Sequence, residues 1–211
     1  MSFKKYRFDT AKVRAGYNPE EHNRAISVPI YQSTAFDFGS IERGYKLFSY
    51  EEEGYLYTRV GNPTVAAFEQ RVAALDGAKG AVAFASGMAA ISSVILNLAA
   101  GGGRIAASPR LYGGSYDSFT QVYPDFGIYF DFAANTGRPE DYDAVIAPDT
   151  KAIYIESISN PDAIVADIEA IAAIAHKHGI PLVVDNTFAT PYLLRPFEYG
   201  ADIVVYSATK Q

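Results

Sequence analysis

The chain has 211 residues, is 49% hydrophobic and 20% charged, and carries a net charge of −6. That length can bury a core as one large domain or two small ones, and the acidic balance argues against a nucleic-acid partner. Cysteine is absent and the three histidines are scattered, so no disulfide framework and no metal-ligand set is expected. Residues 1–10 are mixed and polar, unlike a signal peptide, and no stretch is long and apolar enough to span a bilayer. A soluble, cytoplasmic protein with no membrane partner is the expectation.

Residues 1–60 show little regular periodicity. Aromatics and glycines interleave with polar residues, and Ser27–Phe36 suits an extended run in which Pro29 argues against a central strand. So long an irregular segment is uncommon inside a compact domain, and its aromatics need a cover. Residues 1–60 are therefore read as an arm that contacts a neighbouring subunit, and residues 61–211 as the main domain.

Asn62 followed by Pro63 reads as a helix cap with proline at the first helical position. The helix Pro63–Leu75 carries Val65, Phe68, Val72 and Leu75 as an apolar stripe, and Asp76-Gly77 ends it. Tyr57-Thr58-Arg59 lies just before it. Arg59 suits either a solvated surface position or a phosphate clamp, because its planar fork of donors matches phosphate oxygens.

Gly80–Ala85 reads as a short strand of small residues. It runs through Ser86-Gly87-Met88 into a helix, Ala89–Ala99. Strand, glycine turn and helix start make a ready anion site, since the first N–H groups of a helix lack internal partners. Many such joints bind nothing. Arg104–Ala107, Ile128–Phe132 and Lys151–Ile155 read as strands, and Glu140–Ile146 as a short helix. Tyr112, followed by Gly113-Gly114, could lay its ring over a flat ligand or simply pack in the core. Helix Asp167–His178 presents Ile168, Ile171, Ile174 and Ala175 on one face and ends at Gly179. Strands alternating with helices imply a mostly parallel sheet with helices on both faces.

The last stretch carries the chemistry. Pro181–Val184 and Ile203–Tyr206 have strand composition, and each stops abruptly in polar residues. The first ends in Asp185-Asn186-Thr187, the second in Ser207-Ala208-Thr209-Lys210. Ligands in open α/β sheets bind outside the carboxyl ends of strands. An acid on one strand end, with hydroxyls and an amine on another, is the set a pyridoxal 5'-phosphate (PLP) site needs. Taken alone, Asp185 equally suits a solvated strand end and Lys210 a surface amine.

The order and spacing of these motifs resemble the Cys/Met-metabolism, or trans-sulfuration, family of PLP enzymes. The resemblance rests on Ser33–Phe36, Tyr57–Thr64, Ser86–Ala90, Asp185–Tyr192 and Ser207–Lys210, and it covers essentially the whole chain. It implies an aspartate-aminotransferase-like, fold type I α/β architecture, of which the C-terminal part is absent here. That part carries the arginine for the substrate carboxylate. Within the family, the stretches 28–38 and 186–210 look most like O-acetylhomoserine sulfhydrylases. Methionine γ-lyases usually carry a cysteine where this chain has Gly114. Cystathionine γ-synthases and γ-lyases are the neighbouring alternatives. Ile158 departs from the family pattern, which has proline there, while Glu156 and Asn160 match it.

By resemblance, Lys210 condenses with the PLP aldehyde and its freed amine moves protons. Asp185 pairs with the pyridine nitrogen, and Tyr112 stacks on the ring and protonates the leaving group. Ser86, Gly87, Met88, Ser207 and Thr209 take the phosphate, Thr187 joins Asp185 in binding the cofactor, and Asn160 lies near the ring's 3-oxygen. Tyr57 and Arg59 reach the phosphate of a neighbouring subunit, which implies a dimer or tetramer with shared sites. The implied substrates are O-acetylhomoserine and sulfide or a thiol. Two other classes remain at this point. One is a non-catalytic fragment that keeps the fold. The other is a nucleotide-binding module using Ser86-Gly87-Met88, although neither a GxGxxG fingerprint nor a Walker lysine is present.

Overall fold

A computed structural model describes residues 6–211. The chain divides after Ala83 into two compact units.

In the first unit, helices α1 (Phe8–Arg14) and α2 (Ile41–Phe48) form where little periodicity is legible, and α3 (Pro63–Asp76) forms where the capped helix is expected. Ser27–Phe36 forms no strand; only Ala35 makes a single antiparallel bridge, to Tyr57. The Asn62 side chain caps α3 by accepting the Thr64 N–H at 2.9 Å, and also donates to the Tyr31 carbonyl at 2.8 Å. The expected apolar stripe of α3 is not its buried face. Val65 and Phe68 are 41% and 47% exposed, while Ala67, Ala73 and Asp76 are buried. The reason lies at Gly16, in the left-handed region at φ +70°. A Cβ there would sit 2.6 Å from the Ala67 carbonyl oxygen and 2.7 Å from the Arg71 nitrogen. The N-terminal segment lies directly on the α3 backbone, and only a small-residue face admits that approach.

No strand forms over Gly80–Ala85. The Ala83 N–H, which a sheet ladder would use, goes instead to Glu69 Oε1 at 2.7 Å. A run of small residues has little side-chain area to pay for strand formation without a ladder partner.

The second unit is a sheet of β1 (Gly103–Ala107), β2 (Ile128–Phe132), β3 (Thr150–Glu156), β4 (Leu182–Asp185) and β5 (Ile203–Val205). Its order is β2-β1-β3-β4-β5 and every pair is parallel. Helix α4 (Gly87–Leu98), the short α5 (Gly113–Asp117) and the turns that follow it cover one face. There Ile91, Ile95 and Phe119 pack on Ile105, Tyr154, Val183 and Val205. Helices α6 (Pro139–Asp143) and α7 (Ile168–Lys177) cover the other, where Tyr142, Ile168, Ile171 and Ala175 pack on Ile153, Ile155, Leu182 and Val184. Strand residues therefore alternate between two apolar cores, as a doubly covered sheet requires. Asp167 caps α7 by accepting the Ala170 N–H at 3.0 Å, and Gly179 follows its end at φ +69°. The remaining short helix is α8 (Thr190–Leu193). No helix among the described residues is long and apolar enough to cross a membrane.

Candidate active site

The strand order reverses between β1 and β3, the kind of switch point where open α/β sheets bind ligands. Glu156 ends β3 and Asp185 ends β4, and the two are register partners. Strand alternation puts both on the face of Tyr154 and Val183, the face covered by α4. Two carboxyl groups thus stand side by side at the carboxyl edge of the sheet.

From Asp185 a chain of contacts runs around that edge. Asp185 Oδ1 accepts the Thr187 N–H at 3.0 Å, and the Thr187 hydroxyl accepts the Ser207 N–H at 2.8 Å. Ser207 lies against Gly87, where an added Cβ would come within 2.7 Å of the Ser207 Cβ. Met88, next in the chain, takes a weak bond from the Ser115 hydroxyl at 3.8 Å. Ser115 lies on α5, which Tyr112 precedes, and the Tyr112 N–H donates to Glu156 Oε1 at 2.6 Å. The circuit joins the ends of β3, β4 and β5, the start of α4 and the loop after β1.

Each element has a local cause. Ser86 caps α4 by accepting the Ala89 N–H at 3.1 Å. The N–H groups of Gly87 and Met88 precede any possible helical partner, so they are available to an anion. Thr209 and Lys210 sit in a single 3₁₀ turn after β5, closed by the Lys210 N–H to the Ser207 carbonyl at 3.1 Å, and both are exposed. Asn160 is half-buried in the loop after β3. Tyr57 and Arg59 lie in the first unit, both exposed, with the guanidinium 5.1 Å from the centre of the Tyr57 ring.

Burial raises the Asp185 carboxyl above the ordinary aspartate range, against the hydroxyl and N–H of Thr187 and the hydroxyl of Tyr154, which lower it. All of these bonded partners are neutral. A protonated pyridine nitrogen would supply the positive charge that lets this carboxyl ionise. That is the sense in which the residues fit PLP: anion donors at the start of α4, the Ser207 hydroxyl beside them, and an acid in need of a cationic partner.

Tyr154 and Glu156 belong to this edge and were not singled out as site residues from sequence. Tyr154 donates to Asp185 Oδ2 at 3.4 Å, and burial foremost, then Asp185 and Glu156, pushes its hydroxyl well above the usual tyrosine value. The available signal was their place: Glu156 ends an apolar strand just as Asp185 does, and Tyr154 is two residues earlier.

Burial pushes the Glu156 carboxyl up from 4.5 to about 7, helped by Asp185 and opposed by the backbone N–H groups of Tyr112 and Asn160. In the unfolded chain this proton leaves near the lower value; in the folded chain it stays until near the higher one. Between them the folded state holds more protons, so rising pH destabilises it, by about 3 kcal/mol once Glu156 is ionised. Glu156→Gln should remove that loss. Denaturant unfolding of the cofactor-free protein should show wild type losing stability against the variant between pH 5 and pH 8 (roughly). Parallel stability curves would refute the assignment.

The family model for Cys/Met metabolism PLP-dependent enzymes matches residues 9–211. The chain belongs to this family. It is 50% identical over 204 residues to Sulfhydrylase FUB7 of Gibberella moniliformis, covering 96% of this chain and 47% of the relative. It is 47% identical over 203 residues to O-acetyl-L-homoserine sulfhydrylase of Corynebacterium glutamicum, covering 96% and 46%. Among solved structures, a Campylobacter jejuni protein provisionally described as an O-acetylhomoserine (thiol)-lyase, carrying a pyridoxyl-lysine phosphate, superposes with a TM-score of 0.91. It shares 39% identity over 96% of this chain and 50% of its own. The chain thus spans about half the length of the relatives it matches. The α/β fold expected from the resemblance is the one observed, with all five strands parallel.

Proposed function

We propose that the protein containing this chain is a cytoplasmic O-acetylhomoserine sulfhydrylase that uses PLP. It would replace the acetoxy group of O-acetyl-L-homoserine with sulfide or a thiol, giving homocysteine or methionine and acetate. The observation that carries this reading is the closed circuit of strand-end residues, with Asp185 at its centre and the α4 start facing Ser207. The name of the Corynebacterium glutamicum relative supports the choice of substrate.

When bound, PLP supplies an aldehyde for the substrate amine and an electron-poor ring for the electrons released at Cα. Every other role falls to the protein. Lys210 would hold the cofactor, and its amine would take protons from Cα and Cβ and return them once the Cγ–S bond has formed. Asp185 keeps a proton on the pyridine nitrogen, and Thr187 fixes the carboxylate by its N–H. Tyr112 covers the ring and passes a proton to the departing acetate as the Cγ–O bond breaks; sulfide then forms the Cγ–S bond. The N–H groups of Gly87 and Met88 and the hydroxyls of Ser86, Ser207 and Thr209 hold the phosphate, and Asn160 the ring's 3-oxygen. The full-length protein given PLP, O-acetylhomoserine and sulfide should release homocysteine and acetate in equal amounts. Cleavage of methionine or cystathionine without that replacement would overturn the substrate assignment.

The same reading includes a shared site. In the first unit Ile30 and Tyr50 are 85% and 88% exposed, and Ile26 and Tyr45 are exposed beside them in sequence. Such apolar exposure suits a subunit interface. The phosphate donors named above, amides and hydroxyls, include no cation, and Arg59 is exposed and able to neutralise a phosphate in a neighbouring subunit. Arg59→Ala should weaken PLP retention and leave the fold intact. Mixing inactive Lys210→Ala chains with inactive Arg59→Ala chains of the full-length protein should restore part of the activity. Proven subunit exchange with no recovery would contradict the shared site.

A further inference from the structure

Glu156 is 6% exposed, yet its carboxylate is spent on backbone rather than on a cation. Its Oε1 accepts the Tyr112 N–H at 2.6 Å, across 44 residues of sequence. One rigid strand end therefore holds the loop after β1, which the proposed function places over PLP.

The Tyr112 end of this contact is built for a fixed ring. Leu111 is buried and anchors the chain just before it. Tyr112 is 52% exposed, so packing against the core does not set its position. It folds back over Gly114 instead: a Cβ added at Gly114 would lie 2.6 Å from the ring's Cε1. The ring position thus depends on the backbone between Leu111 and Gly114. Among the described residues, the polar tether on that stretch from another strand is Glu156.

We propose that Glu156 is the positioning residue of Tyr112, holding its N–H from the end of β3 so that the ring stays where it can cover the cofactor. It acts through Tyr112 and touches neither substrate nor leaving group. The part concerning the cofactor rests on the functional reading above; the tether itself does not.

The test uses amide hydrogen exchange on the full-length protein without PLP, resolved to single residues. In Glu156→Ala, exchange at Tyr112 should accelerate by on the order of tenfold, as a buried hydrogen bond is lost, while Ile153 and Ile155 stay protected. Glu156→Gln keeps an acceptor at the same reach and should restore wild-type protection. Should the alanine variant fail to fold, Glu156→Asp serves in its place, since its carboxylate is withdrawn by one methylene and should also speed exchange at Tyr112. Unchanged exchange at Tyr112 in the alanine variant, or in the aspartate variant where that replaces it, would overturn the tether. With PLP added, the visible circular dichroism of the bound cofactor should fall in the shortened variant and recover in Glu156→Gln. Loss of protection at Tyr112 with unaltered dichroism would overturn the positioning role alone. A protein that binds no PLP would refute the functional reading and leave the exchange result standing.

Discussion

Lys210→Ala in the full-length protein is expected to lose the visible absorption of bound PLP and to lower turnover by roughly 10³-fold or more. The same amine is assigned both the covalent bond to the cofactor and the proton transfers at Cα and Cβ. Lys210 stands in the turn directly after β5, two residues beyond Ala208 and three beyond Ser207, whose N–H is tied to Thr187. It is therefore carried by the rigid edge of the sheet rather than by a free loop. Titration with PLP followed by an assay on O-acetylhomoserine and sulfide checks this. Normal turnover of the variant without an added amine would remove Lys210 from its role.

Asp185→Asn is expected to leave PLP binding measurable but to slow exchange of the substrate's α-hydrogen by roughly 10²- to 10³-fold. The carboxyl sits where burial already disfavours its charge, among neutral donors. A cationic ring nitrogen and this carboxylate would stabilise each other strongly in such surroundings. An amide of the same size keeps the Thr187 contact but cannot hold the proton on the ring. Deuterium uptake at Cα, followed with and without sulfide, separates this step from the replacement itself. A wild-type exchange rate would contradict the role given to Asp185.

The strand-end motifs were legible because each follows a short apolar run rich in β-branched residues, which suits a buried strand. Asp185 and Ser207 come to the same edge as a direct result of parallel pairing between β4 and β5. What escaped the sequence depends on contacts distant in the chain. Glu156 gains its place only when the loop after β1 folds back across the switch point onto β3. The buried side of α3 was misread because Gly16, remote in sequence, selects the alanine face. Gly80–Ala85 has strand composition, but composition cannot show that Glu69 takes its N–H.

The claim at the centre is that Lys210 is the amine that takes the PLP aldehyde. Full-length protein loaded with PLP, reduced with borohydride and digested should carry the pyridoxyl mass on the peptide containing Lys210. A label on Lys79, Lys151 or Lys177, with Lys210 unmodified, would contradict it.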